Sequence, residues 1–401
     1  MSDRLQPRDD KDVEEVVRWA LAEGKRLEVR GQGSKRALGR PSQTDLTLDL
    51  SGLVGVTLYE PEELVLSVKA GTPLSEIEEL AARNGQQLAF EPMDYGPIFG
   101  RPRGEGTIGG VLAANLSGPR RLKAGAARDH FLGVSAVSGR GEIFKSGGRV
   151  VKNVTGYDLC KLLAGSFGTL AAMTEVTIKT LPRPETEDTL LMHGLDDAGA
   201  IRAMSAAMNS SAEPSGAAHL PQRIAHRVLG AASSVTALRL EGVRPSVVHR
   251  RGLLEALFGA HALSTLAEQQ SRDLWRDIRD VTALTGAQEN VLWRISTAPA
   301  KGAALAEGIA ATTNAEVFYD WSGGLIWADL PPAKDAGAEA VRAAVASFGG
   351  HATLVRAPLA LRASVDVFQP QEPALAALSR RVKESFDPHG VLNPGRMWAG
   401  V

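Results

Sequence analysis

The 401-residue chain has one cysteine, Cys160. A single thiol excludes an internal disulfide framework and a cysteine-ligated zinc or iron–sulfur centre. It sits in the helix-like run Tyr157-Asp-Leu-Cys-Lys-Leu-Leu163, and a thiol buried in such a helix is inert. Net charge is nearly absent: 45 Lys and Arg against 46 Asp and Glu leave -1. No general attraction to nucleic acid is expected. Long hydrophobic runs are missing, and no stretch approaches the ~18 apolar residues of a membrane span. The opening MSDRLQPRDDKDVEE is charged and has no apolar core, so it does not read as a secretory signal. These absences point to the cytoplasm. The eight histidines form no His-x-x-His or His-Glu-x-x-His pair, so helical zinc spacing is lacking. Neither a Gly-x-Ser-x-Gly elbow nor the Walker spacing occurs, which leaves hydrolase and P-loop readings unsupported.

Glycine, by contrast, is concentrated. Residues 91 to 182 form a ribbon in which it recurs beside Thr, Asn, Ser, Arg and Asp. Glycine lets backbone approach a ligand closely, and free N–H groups in such loops bind anions such as phosphate. A run of these loops between short strands suggests a surface wrapped around one large phosphate-bearing cofactor. Within it Arg101, Arg103, Arg120, Arg121, Lys123 and Arg128 cluster against few acids. That cluster reads as a solvated basic face, or as a site for phosphate or an acidic partner.

Local patterns supply the elements. Val13, Val16, Val17 and Ala20 share one face of a helix over residues 11–23, with Gly24 as its stop. Leu27–Arg30 is a short strand entering Gly31-Gln-Gly-Ser-Lys35. Residues 46–50, 54–59 and 64–69 are strand-like. A helix follows with Thr72 as N-cap, Pro73 as its first residue, Leu74, Ile77, Leu80 and Ala81 inward, and Gly85 as terminator. Residues 131–138 and 142–145 make a hairpin around Gly139-Arg-Gly141, residues 156–164 a helix, and 170–181 an alternating strand.

Composition shifts after Pro182-Arg-Pro184, which sets the expected boundaries: 1–182, 185–365, and a closing segment 366–401. The middle part is Ala-rich. From residue 291 its order is strand, helix, strand, strand, helix, strand, the ferredoxin-like split arrangement. The last segment is a helix over 373–386 with Leu375, Leu378 and Val382 inward. No internal sequence repeat is visible.

Gly104-Glu-Gly106-Thr-Ile-Gly109 matches G-x-G-x-x-G, but Asp94-Tyr-Gly-Pro-Ile-Phe-Gly-Arg-Pro-Arg103 before it cannot be the buried strand that a Rossmann unit requires. The local physics still allows Thr107 to Gly110 to present N–H groups at the start of a helix over 108–115. Gly31 to Lys35 reads as a second anion nest, with the Ser34 hydroxyl, or as an ordinary glycine turn.

Taken in order, several motifs carry a resemblance. They are Gly31 to Lys35, Gly104 to Asn115, Arg128-Asp-His-Phe-Leu-Gly-Val134, Lys152-Asn-Val-Thr-Gly-Tyr-Asp-Leu-Cys-Lys-Leu162, Gly165-Ser-Phe-Gly-Thr-Leu170 and Asn393-Pro-Gly-Arg396. Residues 1–182 and 366–401 resemble FAD-linked oxidases of the vanillyl-alcohol oxidase and p-cresol methylhydroxylase type. More narrowly, with Tyr319-Asp-Trp-Ser-Gly-Gly-Leu-Ile-Trp327 and Gly350-His-Ala-Thr-Leu-Val-Arg-Ala-Pro358, the chain resembles the FAD-binding E-subunit family of glycolate oxidases. The resemblance implies an α+β fold: a two-subdomain FAD-binding PCMH-type domain with a ferredoxin-like α+β cap. It assigns cofactor contacts to Arg30, Gly31, Gln32, Gly33, Ser34 and Lys35, with the pyrophosphate at Gly31 to Ser34. Further contacts fall to Pro92, Thr107, Gly109, Gly110, Asn115, Arg128, Asp129, Gly165, Ser166, Gly168 and Thr169. Asn393 and Arg396 would lie near the flavin ring.

The implied activity is that of an FAD-dependent oxidoreductase acting on CH–OH groups, as a subunit of a glycolate oxidase complex making glyoxylate. The implied partners are a catalytic D-type FAD subunit, an iron–sulfur F-type subunit and a small 2-hydroxy acid. Peripheral association with the inner face of the membrane through the complex stays open. So do a different substrate (D-lactate, a sugar or a lactone), an accessory flavin subunit without its own substrate site, and a non-redox scaffold on the same fold. Two departures matter. Covalent-flavin members carry a histidine in the first glycine loop, and Gly31 to Lys35 has none, so non-covalent FAD is expected. The His-x-Gly-Asp-Gly-Asn-x-His motif of the related D subunits, a metal and base motif, is also missing. Arg356 and His351 are the remaining catalytic candidates. Five residues apart in one strand, they should face opposite sides. No metal is expected.

Overall fold

The computed structural model describes residues 3–149 and 156–401. It divides into two compact units: residues 1–117, 126–183 and 370–401, and residues 118–125 and 184–369.

The first unit begins with β1 (Arg4–Leu5) and the helix Asp10–Ala22. Asp9 caps that helix, its carboxylate accepting from the amides of Lys11 and Asp12, which satisfies two otherwise orphaned donors. The helix buries Val13, Val17 and Ala20, as their spacing predicts. β2 (Leu27–Arg30) and β3 (Leu46–Asp49) pair in parallel, and β1 joins β3 to complete a three-stranded sheet. Val13, Val17, Leu27, Leu48, Val137, Ala172 and Leu392 meet in one buried cluster. Burying each Val or Leu side chain contributes about 1.5–3 kcal/mol.

A second sheet follows. It is built from β4 (Val56–Glu60), β5 (Val65–Lys69), β7 (Phe131–Ser138), β8 (Ile143–Gly147) and β9 (Ala171–Lys179), in the order β4-β5-β9-β7-β8. A small ladder joins β6 (Gln86–Gln87) to β10 (Leu181–Pro182). The expected hairpin is present as β7 and β8, paired antiparallel. The helix after β5 runs Leu74–Arg83 and its N-cap is Pro73, one residue later than expected. Thr72 instead closes the turn: its hydroxyl donates to the Lys69 carbonyl and accepts from the Gly55 amide.

The C-terminal segment returns to this unit. Its helix Pro373–Phe386 is mostly exposed. Leu375 and Leu378, expected inward, are about half exposed. The residue this helix buries is Lys383, whose ammonium donates to Thr169 O at 2.6 Å, Asp387 Oδ2 at 2.5 Å and Leu392 O at 3.0 Å. Asp387 in turn accepts from the amides of Val391 and Leu392. Ionic and backbone bonds therefore anchor this helix, while Val391 and Leu392 beyond it join the apolar core.

The second unit is one eight-stranded sheet, in the order β14-β11-β13-β12-β16-β17-β15-β18. Its strands are β11 (Thr186–His193), β12 (Gly216–Leu220), β13 (Val235–Gly242), β14 (Ala262–Ala267), β15 (Val291–Ser296), β16 (Glu316–Asp320), β17 (Leu325–Leu330) and β18 (His351–Arg356). The expected βαββαβ order from residue 291 is there, with helices Gly302–Thr313 and Ala338–Phe348. The same strand arrangement occurs in β11 to β14, with helices Asp197–Met208 and Arg244–Phe258 in the crossovers and an added helix, Gln222–Leu229, between β12 and β13. The two halves join where His219 of β12 pairs with Tyr319 of β16. This structural repeat left no trace in the sequence. The fold constrains strand order and inward apolar character, and many residue combinations meet both.

Candidate functional site

The glycine loop after β2 builds the site. Gly31, Gln32, Gly33, Ser34 and Lys35 line a cavity of about 540 Å³ together with Val29, Arg30, Thr107, Gly110, Phe167 and Arg396. A second cavity of about 420 Å³ shares Val29, Arg30, Gly31, Thr107, Gly110 and Phe167, and adds Gly109, Gly168 and the apolar Leu50, Ala70 and Met173. The two form a groove with a polar, basic end and an apolar end.

The backbone decides which loop can hold an anion. At the start of the helix Ile108–Ala114 the amides are already used. Ile108 N donates to Thr72 O, Gly109 N to Ala70 O, and Gly110 N to the Thr107 hydroxyl. The expectation that Thr107 to Gly110 present free N–H groups is therefore corrected for Ile108, Gly109 and Gly110. A neighbouring strand end and the capping threonine consume them. In Gly31 to Lys35 no amide is used by a hydrogen bond among the described residues. Gly33 adopts a left-handed φ of +80°, which only glycine enters without cost. A Cβ on Gly31 would come within 2.6 Å of Thr107 Oγ1, and one on Gly110 within 3.1 Å of Lys35 Cε. Both positions keep the groove open because they carry no side chain. Gly109 differs: its missing Cβ faces Ala70, whose carbonyl oxygen would lie 2.8 Å away. It packs the helix against β5's end, and its backbone borders the apolar cavity.

The electrostatics suit an anion. Burial lowers the Lys35 ammonium to about 8, partly opposed by Asp94. The buried Arg30 Nε has no hydrogen-bond partner. Arg396 enters from the C-terminal segment, its guanidinium donating to Lys35 O at 3.1 Å, so it braces the loop from behind. Asn393 clamps two site elements: Oδ1 accepts from Val29 N at 2.9 Å, and Nδ2 donates to Phe167 O at 2.8 Å. It borders neither cavity and acts through the strand and turn it holds.

Other expected contacts fall elsewhere. Pro92 is buried and outside both linings. Asn115 ends the helix in a left-handed conformation and accepts from the Arg128 amide at 3.1 Å. Arg128 and Asp129 are exposed in a short turn, and Asp129 accepts from the Ala126 amide. Gly165, Ser166 and Thr169 shape the turn beside the groove: Gly165 N donates to Leu112 O, and the Thr169 hydroxyl to Ser166 O. Lys152 to Thr155 of the sequence motif lie outside the described residues. Cys160 is buried, and burial followed by the nearby Asp158 pushes its thiol up to about 12, so it is inert.

The basic cluster read from sequence is not one patch. Arg101 pairs with Glu105 at 2.8 Å, Arg120 with Glu241 at 2.6 Å and Lys123 with Glu213 at 2.6 Å. The acids that meet Arg120 and Lys123 lie far along the chain, invisible to a local charge count.

The catalytic candidates lie in the second unit. A register shift lets Arg356 pair with Leu292 while His351 pairs with Ser296. The extra residue reverses the alternation, so both share a sheet face, roughly 13 Å apart by strand rise. Arg356 is fully committed, donating to Asp329 Oδ1 at 2.8 Å, Asn290 O at 3.0 Å and Leu284 O at 3.1 Å. It holds strands together and is not free to grip a substrate.

Residues 4–147 match the family model described as an FAD binding domain. The chain is 33% identical to the glycolate oxidase subunit GlcE of Escherichia coli over 96% of each chain. It belongs to the E-subunit family of FAD-linked glycolate oxidases. The chain is also 30% identical to the glycolate oxidase subunit GlcD of Bacillus subtilis over 47% of this chain and 38% of that one. The substrate-bound crystal structure of p-cresol methylhydroxylase superimposes with a TM-score of 0.69 at 13% identity, over 98% of this chain and 88% of the other. The α+β PCMH-type fold is thereby shared, and FAD is the cofactor. The groove fits it: side-chain-free positions at Gly31 and Gly110, unused amides in the first loop, an orphaned Arg30 Nε and a desolvated Lys35 suit a diphosphate, and the apolar end suits a ring.

Sequence reasoning missed Val29, Leu38, Ala113, Phe167 and Met173 in the lining. Aliphatic lining residues carry no signal that separates them from core. Phe167 carried one, lying between two glycines in Gly165-Ser-Phe-Gly168, and its φ is +55°.

Proposed function

We propose that the chain is the FAD-bearing E subunit of a complex that oxidises glycolate to glyoxylate, working with a D-type flavin subunit and an iron–sulfur F-type subunit. The observation that carries this reading is the end-to-end match to an E subunit, spanning both structural units. Bound FAD supplies the capacity to accept the two electrons that glycolate loses with two protons, and to pass electrons on singly to an iron–sulfur partner. The chain's own residues bind and orient. Gly31 to Ser34 give amides to the diphosphate, Arg30 and Lys35 balance its charge, and Thr107, Gly110 and Phe167 border the path. Arg396 and Asn393 hold the loop, strand and turn in place. The described lining holds no His, Cys or Tyr, which supports non-covalent attachment. No helix among the described residues is long and apolar enough to cross a membrane.

An anaerobic absorption spectrum tests the reading. The FAD-loaded chain is mixed with glycolate, alone and after assembly with D-type and F-type subunits. Glycolate-dependent bleaching of this chain's flavin in the complex supports the proposal. Bleaching in the isolated chain keeps the substrate and overturns the dependence on partners. No bleaching of it in the full complex overturns the proposal.

A further inference from the structure

The sheet of the second unit has two edges, and they are finished differently. β18 is covered. Its Leu354 amide donates to Val367 O at 2.8 Å, its Ala352 amide donates to Gln369 Oε1 at 3.2 Å, and Ala352 O accepts from Arg342 at 2.8 Å. β14, at the other edge, pairs with β11 alone among the described residues. A row of unpaired N–H and C=O groups templates further pairing, so natural edges are blunted by charge, proline or a bulge. β14 has none of these. It reads Ala262-Leu-Ser-Thr-Leu-Ala267 and follows β11 without a register shift. Ala262, Ser264, Thr265 and Ala267 are exposed.

The ladder decides which backbone groups point away from the sheet. Gly194 N donates to Ser234 O, its opposite residue one step beyond the last β11–β13 pair. Bonded and non-bonded pairs alternate along an antiparallel ladder. Met192 and Leu190 therefore bond β13, and His193, Leu191 and Thr189 bond β14. Their β14 partners are Ala262, Ser264 and Leu266. Leu263, Thr265 and Ala267 are left to direct their N–H and C=O groups to the open side. The row is closed at both ends. The His261 amide donates to Phe258 O, and Glu268 turns out of the strand with a φ of +44°.

We infer that β14 is a self-pairing edge that joins two copies of this chain through an antiparallel ladder centred on Thr265. The two-fold axis of such a ladder passes through a residue that faces its own copy. Centred on Thr265, every outward residue finds a partner: Thr265 opposes Thr265 of the second copy, and Leu263 opposes Ala267. Centred on Ser264, Ala267 would oppose His261, whose amide is already used. Opposed threonines are favourable cross-strand neighbours. The register also sets no like charges face to face, because Glu268, paired with Arg244 at 2.9 Å, falls opposite Ala262. A row closed at both ends and symmetric about its middle residue fits a second copy of itself better than a longer extended peptide. The inference rests on this edge and not on the glycolate reading.

Sedimentation of the FAD-loaded full chain tests it. The wild-type chain sediments as a dimer, at twice the 42.4 kDa of one chain. Thr265→Lys sets two like charges opposite each other, with Cα atoms about 5.5 Å apart, and weakens the dimer by roughly 3- to 30-fold. Thr265→Glu does the same. An equimolar mixture of the two variants recovers the dimer, because lysine then faces glutamate. Thr265→Pro deletes the outward N–H in both copies, spares every bond to β11, and weakens the dimer by about tenfold or more. FAD content stays at the wild-type level in all three variants, which reports their folding. A monomeric wild-type chain, or a dimer that the folded variants leave unchanged, would overturn the inference. A lysine–glutamate mixture no tighter than either variant alone would overturn the register about Thr265.

Discussion

The two units make polar surfaces in opposite ways. In the first, the ligand surface is largely backbone: a glycine loop with unused amides, kept open by missing side chains at Gly31 and Gly110. In the second, the polar clusters are made of side chains and built into the packing. Arg239 lies buried between Glu187 and Glu241 under Trp275, and Arg294 lies on Trp321. The halves of the second unit share one topology, yet one arginine is set among carboxylates and the other on an indole that a second arginine also covers. Topology fixes where such residues can stand, and the neighbours decide what they do.

Each unit has a buried ion clamp, and breaking both gives the largest expected effects. Lys383→Met leaves Asp387 buried without its cation, and Arg356→Met does the same to Asp329. Loss of one partner of a buried pair costs about 3–5 kcal/mol. Burial already raises Asp329 above the ordinary carboxylate range, so it can take a proton, and the Arg356 variant should fall at the lower end. Thermal unfolding checks both. The comparison predicts a further difference: Lys383→Met also lowers FAD affinity, because Lys383 holds the Thr169 turn, whereas Arg356→Met leaves FAD affinity intact. Equal FAD loss in both variants would break the distinction.

Next in size is Gly31→Val. Overpacking against Thr107 costs about 1–3 kcal/mol, which should appear as roughly a 5- to 150-fold loss in FAD affinity in flavin-fluorescence titrations, with circular dichroism unchanged. Wild-type FAD affinity in that folded variant would move the cofactor away from the glycine loop.

The smallest effect is a pH dependence. The Lys35 ammonium titrates near 8 without ligand, and a bound diphosphate raises that value. Its contribution to FAD binding is then complete below pH 8. It declines as pH rises from 8 through the higher bound-state pKa, by up to about tenfold per unit. Affinity titrations from pH 7 to 10 should show this slope in wild-type protein and not in Lys35→Met. A flat profile would remove Lys35 from the diphosphate.

Much of the first unit was legible because its chemistry is local. Gly31 to Lys35 announces itself by composition, and Val13, Val17 and Ala20 by period. The βαββαβ order from residue 291 was legible by the same means. What stayed hidden depends on residues far apart in the chain. Arg120 finds Glu241 and Asn393 finds Val29 only through the fold. The repeat in β11 to β14 follows from strand order that no sequence period marks. A one-residue register shift in β18 turned Arg356 onto the face of His351. Leu375 and Leu378 follow an inward pattern yet lie exposed, because Lys383 supplies the anchoring that the pattern was assumed to provide.

The flavin content of the purified full chain tests the central claim most directly. The chain is reconstituted with FAD, separated from free cofactor and precipitated with acid. The account predicts one FAD per chain, all released into the supernatant. A folded chain that takes up no FAD, or flavin that stays in the protein pellet, would contradict it.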